Sequence, residues 1–150
     1  MVESQMSYIL KELEGFFHCS LEPDKNNSCL IKMGIGLSLQ IELDRQGYLL
    51  IGCKLGALYM GRYRSDLMRA ALESNALTPL STGVLGYSHK SSQLILFLRI
   101  NQNETPMHEW IEQLPLFIEK AKLWTNAITK NEIPAIATPI KATSIFELMK

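Results

Sequence analysis

The chain has 150 residues, 47% of them hydrophobic and 20% charged, which suits one globular domain with a single core and no need of covalent staples. Lys plus Arg and Asp plus Glu number 15 each. That balance argues against a nucleic-acid partner, which demands a basic surface, and no run of like charge suggests a membrane patch.

The first element predicted is a helix over about Glu3 to Phe17. Tyr8 or Ile9, Leu13, and Phe16 or Phe17 recur at three-to-four spacing, with Lys11, Glu12 and Glu14 between them. This N-terminus has no basic region and no small-residue cleavage site, so no signal peptide is expected. Glu22 to Ser28 is a turn cluster. Three strands follow: Cys29–Met33, Leu37–Leu43 and Tyr48–Leu55. The second alternates apolar and polar residues without a break. Asp44-Arg45-Gln46-Gly47 reads as the hairpin turn, with Gly47 at positive φ.

Gly56 to Gly61 reads as a linker and Arg62 to Leu77 as a second helix, burying Leu67, Ala70, Ala71 and Leu72. Asn75 fits a left-handed C-cap ahead of Pro79. Gly83–Tyr87 and Gln93–Ile100 are two more strands. A third helix starts after Thr105, its expected cap, with Pro106 in the first turn. It carries an apolar stripe from Met107 through Trp110, Leu114, Phe117, Ala121 and Trp124 to Ile128. Pro115 lies within it and deletes the backbone bond to Ile111, which predicts a kink or a split into two helices.

The order α-β-β-β-α-β-β-α, with hairpin-length connections, implies an α+β fold: an antiparallel twisted sheet with three helices. Residues 1–129 form the domain. Residues 130–150 form a tail, either flexible or docked through Ile145, Phe146 and Leu148 on a partner.

Two strands are apolar on both faces. Leu49, Ile51 and Cys53 fall opposite Leu50. Leu94, Leu96 and Leu98 fall opposite Ile95 and Phe97. The first and third helices can cover one face. The other is covered either by the second helix or by something outside the chain, and a bare apolar face of that size marks a protein interface.

Residues suited to chemistry do not assemble into a site. The three cysteines, Cys19, Cys29 and Cys53, are odd in number and match no metal or redox spacing, which points to a reducing cytosolic compartment. Cys19 and His18 are adjacent, so their side chains diverge on either regular element. Gly34-Ile35-Gly36 lacks the third glycine of a dinucleotide fingerprint, and Gly83-Val84-Leu85-Gly86 lacks the lysine of a P-loop. No catalytic residue, cofactor or metal is expected. Leu94 to Leu98 is the densest apolar run, too short to insert in a membrane.

The ordered landmarks nevertheless resemble one family. They are an amphipathic first helix, Asn27-Ser28-Cys29-Leu30-Ile31 opening a meander, and a helix ending Ala70-Ala71-Leu72-Glu73-Ser74-Asn75. Then come Gly83-Val84-Leu85-Gly86-Tyr87, the strand Gln93-Leu94-Ile95-Leu96-Phe97-Leu98, and a helix with Phe117, Ala121 and Trp124. Over roughly Met6 to Ile128 the chain resembles the class I type III secretion chaperones of the Tir-chaperone type, chlamydial members most closely. The chain departs from the usual acidity of that family in being neutral.

The resemblance implies a dimer, a homodimer or a heterodimer with another small chaperone, built on Leu67, Ala70, Ala71, Val84, Leu85 and Tyr87. It implies an extended N-terminal segment of a secreted effector or gatekeeper protein as client, partly bound by strand addition. The client contacts would be Leu13, Phe17, Leu30, Ile31, Leu39 and Leu50. Two other readings stay open on sequence: an α+β enzyme with an unrecognised Cys/His site, and a regulatory adaptor of the same fold without an exported client.

Overall fold

In the computed structural model the described residues are 2–34 and 36–135. Helix α1 is Val2–Phe17, α2 is Arg62–Leu77 and α3 is Met107–Lys130. The strands are β1 (Ser28–Met33), β2 (Leu37–Leu43), β3 (Tyr48–Ala57), β4 (Val84–Ser88) and β5 (Gln93–Asn101). They form one sheet in the order β1-β2-β3-β5-β4, antiparallel at every step.

Turn chemistry sets the register of the meander. Asp44 Oδ1 accepts the backbone N–H groups of Gln46 (2.9 Å) and Tyr48 (2.8 Å). Gly47 sits at φ 86°, as the hairpin requires. Asp24 repeats the device before β1, accepting from Asn26 and Ser28. The resulting pairing stacks Cys29, Ile41, Ile51 and Leu98 across four strands on one face.

That inner face carries the core. From α1 come Met6, Ile9, Leu10 and Leu13, and from α3 come Trp110, Leu114, Phe117, Ala121 and Trp124. Each fully buried aliphatic or phenyl side chain of this set contributes roughly 1.5–3 kcal/mol. Of the alternatives read for α1, Ile9 faces the core and Tyr8 faces solvent.

Four expectations need correction. Gly56 and Ala57 belong to β3 rather than to a linker, after a bulge between Lys54 and Gly56. Asn75 is not a C-cap: its backbone keeps helical geometry without a positive φ, α2 runs on to Leu77 and closes at Thr78, and the Asn75 side chain bonds β4. Leu72 points outward and is 71% exposed. Thr105 does not cap α3, whose N-cap is Pro106 with no side-chain bond.

Pro115 does not split α3, which runs unbroken for 24 residues. Pro115 is exposed, so the Ile111 carbonyl that loses its helical donor lies on the side open to water. A short 3-10 turn at Leu80–Thr82, not among the elements expected from the sequence, joins α2 to β4. Lys120 of α3 holds this connector, its Nζ donating to Thr78 Oγ1 (3.0 Å), Thr82 Oγ1 (3.5 Å) and the Gly83 carbonyl (2.9 Å). Burial pushes the Lys120 pKa down.

Candidate protein-binding site

All three helices lie on the inner side of the sheet. α2 packs beside β4 and the end of α3, where the Tyr63 hydroxyl is shared between the carbonyls of Ala127 (3.0 Å) and Glu132 (2.9 Å). Arg64 lies over the ring of the inward-facing Tyr87, 5.1 Å from its centroid. α2 therefore widens the helical layer instead of crossing to the other face. Among the described residues, no helix covers the outer face.

That outer face is built from the residues between the core positions. Leu30 comes from β1, Leu50 and Gly52 from β3, and Ile95 and Phe97 from β5. They line a groove of about 780 Å³. Leu30 is 58% and Phe97 41% exposed, while Leu50 and Ile95 are half-buried. Gly52 pairs with both Gln40 and Phe97 and has nothing within 4 Å of where a Cβ would stand, so it forms the groove floor. At Gly86 a Cβ would meet Phe97 Cε1 at 3.1 Å, so the Phe97 ring lies over that glycine.

Polar groups rim the apolar strip. Gln40 Nε2 donates to Glu42 Oε1 (2.6 Å) and lies 3.3 Å from Ser28 Oγ, and Lys54 stands exposed beyond Gly52. An apolar floor with a polar rim has the anatomy of a groove for extended peptide. Among the described residues no group of three or more His, Cys, Asp or Glu could hold a metal ion. Burial raises the pKa of Cys53 to about 11 and that of Cys29 upward, so both thiols stay protonated at neutral pH.

The residues expected to meet a client divide into two sets. Leu30, Leu50 and Phe17 are accessible, with Phe17 half-buried against Phe16 at the end of α1. Leu13, Ile31 and Leu39 are core instead, because α1 and the register turn them to the inner face, where they are at most 4% exposed. Ile95 and Phe97 join the accessible set, on the strand whose two apolar faces are visible in the sequence. Among the residues expected at a dimer interface, Leu67, Ala70, Ala71 and Leu85 are buried within the chain, while Val84 and Tyr87 are half-buried. Ile145, Phe146 and Leu148 of the tail lie outside the described residues.

Comparison with known proteins agrees with this architecture. The chain belongs to the Tir chaperone protein (CesT) family, whose profile matches residues 8–125. No curated protein matches it. Among solved structures it is similar to a chain of the HopA1–SchA chaperone–effector complex, at TM-score 0.62 and 18% identity, covering 81% of this chain and 93% of that one. It is also similar to a chain in the structure of the Yersinia pestis type III secretion chaperone SycH with a fragment of YscM2, at TM-score 0.59 and 17% identity, covering 78% and 97%. A third likeness is to a chain of the ExoU–SpcU complex of Pseudomonas aeruginosa, at TM-score 0.58 and 14% identity, covering 88% and 98%. At these identities the likeness is one of fold. No described helix is long and apolar enough to cross a membrane.

Proposed function

We propose that this chain is a cytoplasmic, non-catalytic type III secretion chaperone. Its client is a non-globular N-terminal segment of a secreted effector or gatekeeper protein, which it keeps soluble and export-competent. The observation that carries this reading is the outer sheet face, whose apolar strip of Leu30, Leu50, Ile95 and Phe97 no described helix covers. A folded partner would need a flat patch, whereas a groove floored by Gly52 fits extended chain. The nearer likeness to chlamydial members belongs to the same proposal and rests on the sequence landmarks. So does the division into a chaperone domain, 1–129, and a tail, 130–150.

The chaperone would act as a homodimer, or as a heterodimer with another small chaperone, through α2 and β4. Accessible apolar side chains there include Leu72, Leu77, Val84 and Tyr87. Leu67, Ala70, Ala71 and Leu85 would support that surface from beneath.

The test is co-expression with N-terminal segments of secreted proteins encoded beside the chain. One of them should be soluble only in the chain's presence, and a Leu50→Glu, Phe97→Glu double variant should lose it while keeping its own melting temperature. A double variant that solubilises the client as well as the parent would end this reading.

A further inference from the structure

Beyond Phe97 the edge of β5 is open. β4 pairs with β5 only from Val84↔Phe97 to Ser88↔Gln93, and at Gly83 (φ 108°) the chain turns away into the Leu80–Thr82 turn. Leu85 exchanges its backbone bonds with Asn75 on the far side of β4, so the β4–β5 bonds run through Val84, Gly86 and Ser88. Backbone groups alternate in direction along a strand. On β5 it is therefore Phe97, and next Arg99, whose N–H and C=O face this side. Val84 takes Phe97, but no strand among the described residues takes Arg99.

A second groove, of about 660 Å³, lies at this place, between the exposed Leu80 and the first turns of α3. Its walls carry the carboxylates of Glu104, Glu109 and Glu112. Arg99 supplies the one cation among its lining residues and is already engaged: it stacks 3.7 Å from the Tyr48 ring centroid and lies 3.8 Å from Asp44 Oδ2. The slot is thus acidic, partly apolar and bordered by unpaired strand backbone. Its length, one hydrogen-bonding residue of β5 before the turn at Asn101, admits a single extended segment and not a folded neighbour.

We propose that this slot takes a short extended segment of the client carrying Lys or Arg, paired to the Arg99 backbone with its cation among Glu104, Glu109 and Glu112. That the partner is the client rests on the function proposed above. The slot is a second anchor, in line with β4 and separate from the Leu50–Phe97 groove.

The test uses the full chain and two capped hexapeptides, alternating Lys-Val and alternating Glu-Val, followed by amide hydrogen exchange and NMR shifts. The Lys-Val peptide should protect the Arg99 amide and the Glu-Val peptide should not. Glu109→Gln with Glu112→Gln should weaken the Lys-Val peptide about tenfold at low salt, since the two carboxylates are solvent-exposed. Glu109→Lys with Glu112→Lys should reverse the preference. Equal binding of both peptides, or shifts confined to the Leu50–Phe97 groove, overturns the proposal. An Arg99 amide protected without peptide, and released in a 1–135 chain, makes the chain's own tail the occupant and overturns it too. Protection that grows with protein concentration does the same in favour of a second copy. A client that needs Leu50 and Phe97 but ignores the slot variants defeats the slot alone. A client that ignores Leu50 and Phe97 defeats the chaperone reading and leaves the peptide result standing.

Discussion

The side-chain amide of Asn75 bonds both backbone groups of Leu85: Nδ2 donates to the Leu85 carbonyl at 2.8 Å, and the Leu85 N–H donates to Oδ1 at 2.8 Å. An amide placed this way does for β4 what a neighbouring strand would do. It closes the middle of an edge that would otherwise invite pairing, and it joins α2 to the sheet. Asn75→Ala should destabilise the chain by about 2–3 kcal/mol, because it leaves a part-buried donor and acceptor unmet. Asn75→Asp should recover part of that loss, since Oδ1 still accepts from the N–H. Urea melts of the three proteins check the order, and equal midpoints would mean the edge is not held by this residue.

The groove floor gives a test of client binding that leaves the core alone. Gly52 has room for a side chain and no positive φ. Gly52→Leu should fold with a change in stability within about 1 kcal/mol, the usual span for a strand-surface substitution. It should also weaken the client at least about tenfold by occupying the floor. Titration calorimetry with the purified client segment reads this directly, and unchanged affinity would move the client off this face.

Gly83 is the opposite case. Its φ is 108°, and a Cβ would stand 2.8 Å from Leu96 Cδ1 and 2.9 Å from Phe117 Cδ2. Gly83→Ala should cost about 3 kcal/mol or more through strain and overpacking together. Lys120→Met, which removes three bonds to the same connector, should cost about 1–3 kcal/mol. Thermal melts at one pH rank these variants. The Lys120 pKa is lowered on folding, so the folded state binds fewer protons just below the unfolded pKa and stability rises with pH there. Lys120→Met should remove that rise.

Cysteine reactivity should follow burial. Cys19 is exposed, while Cys29 and Cys53 are buried. At pH 8 a thiol reagent should label Cys19 in the folded chain and reach the other two only on unfolding. Because Cys53 is raised to about 11, the unfolded thiol ionises first, and its stabilising contribution falls as pH climbs from about 9 toward 11. Rapid labelling of all three at pH 8 would contradict this burial.

Much of the architecture is legible in local pattern. The alternation of Leu37 to Leu43 matches β2 at both ends, and the period of Trp110, Leu114, Phe117, Ala121 and Trp124 marks the buried stripe of α3. Asp44 and Gly47 announce their hairpin because turn geometry depends on a few adjacent residues. The site was half legible. The two-faced character of Leu50, Ile95 and Phe97 stands in the sequence, yet nothing local separates the buried Leu13, Ile31 and Leu39 from the accessible Leu30 and Leu50. Only register tells which side of the sheet a leucine takes.

By itself, the sequence determined the order of helices and strands and the presence of a second apolar sheet face, since both follow from periodicities within single elements. Which helix covers which face was decided by tertiary structure. Tyr63 reaching Ala127 and Glu132, Arg64 over Tyr87 and Asn75 on Leu85 hold α2 beside β4 on the inner side. These are contacts between side chains and segments up to 69 residues apart, and no local pattern encodes them. They leave the face of Leu30, Leu50 and Phe97 uncovered.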